Sequence, residues 1–429
     1  MCFRLSGRRD AMVDMSLVSG TLTIHLPKII NTENALAIDQ EIRGSDALAA
    51  SERIVIDAKE LRYISSLGLR ILLAAKKMKD DLKIVNVNET CYQIFEEAGF
   101  TEIMEITRIA RFISLDGMKA LGSGINGSVY EINREKVLKV YHGLTSMDEV
   151  SRILHTVRQA FVRGIPTMIP YEVVQTEKGY GTVFEMVDSA CFANEIAKNP
   201  DKVKEAAAAL AGLARKLAST DLSGSGVISR RELLLRSVSD ITDLFDPEEI
   251  DAVRYYVEAV PDRNTAVHGD LHARNIMVVN GELLLIDMDD FSEGHPVWEL
   301  AAIDRIYHMV LLLDPGLVRE IYMFPQEVAL EDFLEKVSQI PVDLIRILWD
   351  GFTECYFEGV PPESKEACLA LSDFYALFMM MRDVLEQIRS VREEPEKLED
   401  RKQVFRKLLG QLRGKDFASI GKAFELWTI

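Results

Sequence analysis

Residues 268–275 read His268-Gly269-Asp270-Leu271-His272-Ala273-Arg274-Asn275, and Ile286-Asp287-Met288-Asp289-Asp290 follows shortly after. The first stretch puts a carboxylate, Asp270, and an amide, Asn275, on one loop. The second closes an apolar run, Leu283-Leu284-Leu285-Ile286, that reads as a buried strand. Acids and amides on loops most often make turns or cap helices, so either stretch alone says little. Together they hold the parts that phosphoryl transfer from ATP uses. One carboxylate orients a hydroxyl and accepts its proton, and oxygen ligands hold magnesium.

A second part lies far upstream. Gly122-Ser123-Gly124-Ile125-Asn126-Gly127-Ser128-Val129 fits G-x-G-x-x-G-x-V, and Lys139 follows in Val137-Leu138-Lys139-Val140. Such glycines also mark dinucleotide-binding folds, where they open a helix. Here they run into Val129-Tyr130-Glu131-Ile132, a polar turn at Asn133-Arg134-Glu135, and the apolar stretch from Val137 to Tyr141. Apolar strands on either side of a turn predict a β-hairpin. Glycines at its tip let backbone N–H groups close over phosphates, and the lysine on the next strand adds a point charge.

On these residues, the region from about 118 to 390 resembles the aminoglycoside phosphotransferase and choline kinase superfamily, small-molecule relatives of the protein kinases. The motifs are HGDxxxxN at 268–275 and IDxxD at 286–290. The resemblance implies ATP and Mg2+ as cofactors and a hydroxyl of a small molecule as acceptor. It makes Asp270 the catalytic base, Asn275 and Asp287 the magnesium ligands, and Lys139 the α/β-phosphate ligand behind Gly122, Gly124 and Gly127. It also implies a glutamate partner for the lysine on the helix near 146–162, with Glu149 the candidate. Acids at that position also stabilise a helix by facing its dipole. Main-chain groups from Glu185 to Val187 would hold adenine at the end of the apolar strand Gly181–Val187, although an ordinary core strand reads identically. Glu299, after Gly294-His295-Pro296, would brace the catalytic loop, and His268 would shape it. Of Asp289 and Asp290, one would touch metal and the other end the strand.

Residues 18–113 alternate short strands and helices: a strand over 21–26, a helical stretch over 33–50, and a strand over 53–57. A helix capped by Ser65 or Ser66, a strand over 82–87 and a helix capped by Asn88 follow. Val55-Ile56-Asp57, Tyr63 to Arg70 and Phe95 to Phe100 resemble the STAS domain of anti-sigma-factor antagonists and sulphate transporters. Regulatory members carry Asp-Ser-Ser-Gly or Asp-Ser-Thr-Gly and are phosphorylated on the second hydroxyl. Aligned on Gly68, this chain has Ser65, Ser66 and Leu67 there, and leucine cannot carry phosphate.

The expected architecture is α/β plus α+β. A 1–17 extension precedes a STAS-like α/β sandwich over 18–113. A bilobal protein-kinase-like fold follows, with an N-lobe over 118–188 and a helical C-lobe over 189–429. Net charge is −18 and argues against nucleic acid. Residues 1–116 carry 15 Lys+Arg against 17 Asp+Glu, so nearly all the acidity lies in the kinase-like part. It is either solvated surface or a pocket for a cationic acceptor. No run approaches a membrane span. The five scattered cysteines form no CxxC pair, which fits a reducing cytoplasm. The STAS-like part would serve regulation or a protein partner. Two other readings stay open: a protein-directed regulatory kinase, and a nucleotide-sensing pseudokinase signalling through the STAS-like part.

Overall fold

Two units divide the chain, Met1–Ser114 and Leu115–Ile429. The computed structural model describes residues 3–4, 12–124, 126–143, 146–187 and 189–427.

In the first unit one sheet runs Phe3–Arg4, Asp14–Val18, Thr21–His25, Arg53–Asp57, Leu82–Val87, Glu105–Arg108, in that spatial order. Pairing is antiparallel up to Thr21–His25 and parallel beyond it. The sheet starts ahead of residue 18. Asp14–Val18 pairs with Thr21–His25 across a two-residue turn, Ser19-Gly20, whose φ angles of 47° and 76° are both left-handed. Two such residues in succession form the hairpin turn whose twist matches the strands it joins. Leu22, Ile24, Ile54, Ile56 and Ile84 are buried at 1% exposure or less. They sit two apart along their strands, as one face of a pleated sheet demands. The helical stretch expected over 33–50 is broken into Ala35–Arg43 and Asp46–Ala50 by Gly44, while the Ser45 hydroxyl accepts from the Ala47 N–H at 3.2 Å. Ser65, rather than Ser66, caps helix Ser66–Met78 by accepting from the Gly68 N–H at 3.3 Å.

The second unit opens with strands Ala120–Ser123, Gly127–Asn133, Lys136–Tyr141, Gly179–Glu185 and Pro170–Thr176, hydrogen-bonded in that order and antiparallel. Gly127 is needed where it stands: a Cβ there would lie 2.6 Å from the Val140 carbonyl oxygen. Register sets Lys139 between Val129 and Thr182. Helix Met147–Val162 covers the sheet, burying Val150 and Leu154 with Tyr141 and Val173. Helices dominate the rest. Helix Pro362–Ser390 runs through the core, with Phe378 and Met379 to Met381 exposed by 2% or less. Trp298, Trp349 and Trp427 are buried packing residues as well. Among the described residues no helix is long and apolar enough to cross a membrane.

Candidate active site

A short hairpin brings the two acidic motifs together. Strands Ile276–Val279 and Glu282–Leu285 pair through Ile276 and Leu285, and the Ile286 N–H donates to the Asn275 carbonyl at 2.9 Å. Their turn, Asn280-Gly281, is left-handed at both residues, with φ of 51° and 85°. Asn275 therefore ends one strand where Asp287 leaves the other. Asp287 itself is left-handed (φ 58°, ψ 60°), a conformation costing a non-glycine residue of order 1 kcal/mol or more and often kept at functional sites.

Lys139 Nζ lies 2.8 Å from Asp287 Oδ1 and 2.6 Å from Asp289 Oδ2. Burial favours the neutral amine, but Asp289 and Asp287 outweigh it and hold the Lys139 pKa above the ordinary lysine value. Burial also pushes Asp289 up to about 6, against the pull of Lys139 and with the push of Asp287. Asp290 turns elsewhere: Arg382 Nη1 reaches its Oδ2 at 2.9 Å, and the buried Arg230 donates to its carbonyl at 3.2 Å.

Asp270 is fixed from three sides. Arg305 Nη2 donates to Oδ1 at 2.7 Å, Asn275 Nδ2 to Oδ2 at 3.1 Å, and His272 Nε2 lies 3.5 Å from Oδ2. Burial alone would raise its pKa. The His272 contact and the Arg305 charge overcome this and keep the carboxyl below the usual carboxylate range. Asp270 is thus ionised across working pH. Arg305 also donates to Asp383 at 2.5 Å, so one guanidinium bridges two carboxylates. It stands on a single π-helical stretch, Arg305–Met309, a kind of bulge often found at functional positions. His308, four residues after Asp304 in this region, bridges Asp304 (3.3 Å) and Asp373 (3.4 Å), contacts that raise its pKa to about 9.

Glu299 braces the loop. Its Oε2 accepts from the backbone N–H groups of His268 and, at 3.3 Å, Gly269. His268 is fully buried with Nε2 at 3.0 Å from the Ile286 carbonyl, which ties the loop to the hairpin. Burial pushes the Glu299 carboxyl from about 4.5 to about 7, with the two N–H donors opposing. The folded chain then keeps a proton that the unfolded chain releases nearer 4.5. Stability falls as pH rises through that window, by up to roughly 3 kcal/mol. Glu299→Gln retains an acceptor oxygen and removes the titration. Urea unfolding from pH 4.5 to 7 should show up to one proton less of linkage in this variant; an unchanged slope would refute the assignment.

Two cavities meet at Asp270, His272 and Arg274. The larger, about 520 Å³, is lined by Gly122, Gly124, Gly127, Lys139, Asn275, Asp287 and Asp289 among others. The smaller, about 200 Å³, continues on the far side of Asp270 past Arg305 and Asp383. Two groups of expected binding residues stand apart from this cleft. Glu149 Oε2 accepts from the Ser146 N–H (3.1 Å) and hydroxyl (2.8 Å) in a capping box, and the lysine's carboxylate partners are both on the 287–290 segment. Glu185 and Val187 are not cleft-lining residues. The Glu185 N–H goes to the Ile169 carbonyl and its carboxylate accepts from the Ile169 N–H, while the Met186 N–H goes to the Glu135 carbonyl. Arg305 and Asp383 were not singled out from the sequence. Their helices carry several other charges, so residue type alone does not single them out.

The donor set suits a hard divalent cation. Asp287, Asp289 and the side-chain amide oxygen of Asn275 offer oxygen donors into the larger cavity, the donor type that magnesium prefers. Asn275 commits its amide nitrogen to Asp270, which leaves the oxygen as its ligand atom.

Residues 117–308 match the phosphotransferase enzyme family, and residues 12–111 match the STAS domain. Over 96 residues the chain is 30% identical to a Bordetella bronchiseptica protein described as an anti-sigma factor antagonist, BtrV, spanning 21% of this chain and 82% of that one. Solved structures with some likeness include a choline/ethanolamine kinase family protein from Mesorhizobium loti. It is 13% identical, over 73% of this chain and 95% of that one, with a TM-score of 0.44. An ADP-bound aminoglycoside phosphotransferase is 15% identical, over 75% of this chain and 98% of that one, with a TM-score of 0.42. The chain thus carries a STAS domain over residues 12–111 and a phosphotransferase-family domain over 117–308.

Proposed function

We propose that the protein transfers the γ-phosphoryl group of ATP to a hydroxyl of a small molecule. The observation that carries this reading is the meeting of two cavities at Asp270, one of them bearing Gly122, Gly124, Gly127, Lys139, Asn275 and Asp287. The glycine-loop N–H groups and Lys139 would cradle the phosphates. Magnesium, held by Asn275 and Asp287, would offset charge on the phosphate oxygens. Asp270 orients the acceptor hydroxyl from the border of the two cavities and takes its proton as the new oxygen–phosphorus bond forms. The bond to the β,γ-bridging oxygen breaks, and ADP leaves with that electron pair. Its low pKa suits a group that steers more than it abstracts, because a loose phosphoryl transition state asks little of a base.

In this scheme Glu149 would serve as a further partner of Lys139, and Glu185 to Val187 would hold adenine through main chain. The STAS domain is read as the module for regulation or a protein partner. Ser66 is exposed at the start of its helix, but Leu67 replaces the acceptor hydroxyl of the regulatory pattern. The test is ADP release with ATP and magnesium over a broad alcohol panel. Acceptor-dependent release that chelation abolishes is expected. Nucleotide binding without release for any acceptor would sink the reading and favour a sensor.

A further inference from the structure

We infer that the acceptor carries its hydroxyl on a small, apolar, uncharged body, and that cationic alcohols are disfavoured. This rests on the phosphotransfer reading and narrows it to a substrate class. The smaller cavity begins at Asp270 and is walled by Val310, Tyr322, Phe333, Leu334, Val337 and Ile345. A cation entering it needs a carboxylate or an open aromatic face. Both carboxylates that line it, Asp270 and Asp383, are paired with Arg305 at 2.7 and 2.5 Å. Arg274 lines the same space, so the fixed charges there balance before any ligand arrives.

Of the lining aromatics, Phe333 has one face stacked on Phe324, with centroids 4.1 Å apart, so less aromatic surface is left for a cation. A desolvated cation left without a partner is disfavoured by more than ten-fold, which is about 1.4 kcal/mol. Size points the same way. A cavity of roughly 150 Å³ lined by Leu, Ile and Phe admits benzene. The 200 Å³ here matches one ring or a short branched chain.

The experiment uses the full chain and matched pairs: 3,3-dimethyl-1-butanol against choline, and cyclohexanol against 4-aminocyclohexanol. Saturation-transfer NMR reads binding, and ADP release with ATP and magnesium reads turnover. The neutral member of each pair should bind and show at least ten-fold higher kcat/KM. Val337 is 44% exposed at the rim, so a carboxylate there does not threaten the fold. Val337→Glu should move the ratio at least ten-fold towards the cation. Equal or better use of the cation, an unmoved ratio in the variant, or no binding of either neutral alcohol overturns the inference. Neutral alcohols that bind without ADP release instead sink phosphotransfer and leave the pocket chemistry standing.

Discussion

Asp270→Asn is expected to slow phosphoryl transfer by about 10²–10⁴-fold with little change in nucleotide affinity. The carboxylate borders both cavities and is not one of the two that pair with Lys139, so its loss should fall on the acceptor side. Asparagine preserves size and one acceptor oxygen for Arg305, and Asp383 still holds that guanidinium. The fold should therefore survive, which a thermal melt checks. Turnover within ten-fold of the parent would remove Asp270 from the chemistry. A fall confined to nucleotide binding would move it to the other substrate.

Asp287→Asn should act through the cation. Removing one charged ligand at a site of developing phosphate charge costs about 10²–10³-fold in turnover, and raising magnesium should recover part of it. Lys139 keeps Asp289, whose carboxyl loses a repulsive neighbour and returns towards its ordinary range from about 6. The contrast with Asp289→Asn is the sharper measurement. If Asp287 is the ligand and Asp289 mainly the lysine's partner, only the first variant changes the magnesium concentration for half-maximal rate. Equal magnesium dependence in both would reverse the assignment.

What could be read in the sequence was what local chemistry sets. The alternation around Leu22 and Ile24, the Asn88 cap and the glycine-tipped hairpin each concern a few neighbouring residues. Asp270 and Asn275 were legible because one loop holds both, and Asp287 because a strand ends beside it. The Glu149 position was ambiguous for a physical reason. An acid at the third position of a helix serves as capping partner or as ion-pair partner, and spacing does not choose between them. Glu185 sits in a strand whose backbone bonds are ordinary ladder and loop pairs, so nothing in its residue type separates a hinge from a core edge. Arg305 finds its carboxylates 35 and 78 residues away, a pairing that only helix packing creates. Asp14–Val18 went unassigned because its signal is one dipeptide, Ser19-Gly20, that needs both strands to be recognised as a turn.

The hairpin between Asn275 and Asp287 works as a caliper. Its jaws are the two candidate oxygen donors, and their spacing is set by the strand pairing at the base. Adding one residue to each arm would lengthen the handle and leave the jaws where they are. A single unmatched residue must be absorbed as a bulge or a longer turn; failing that, the register slips and one arm's side chains turn to the opposite face. A balanced insertion at the exposed Asn280-Gly281 bend is therefore expected to be tolerated better than an unmatched one, which links that bend to the spacing of the candidate divalent site at the other end.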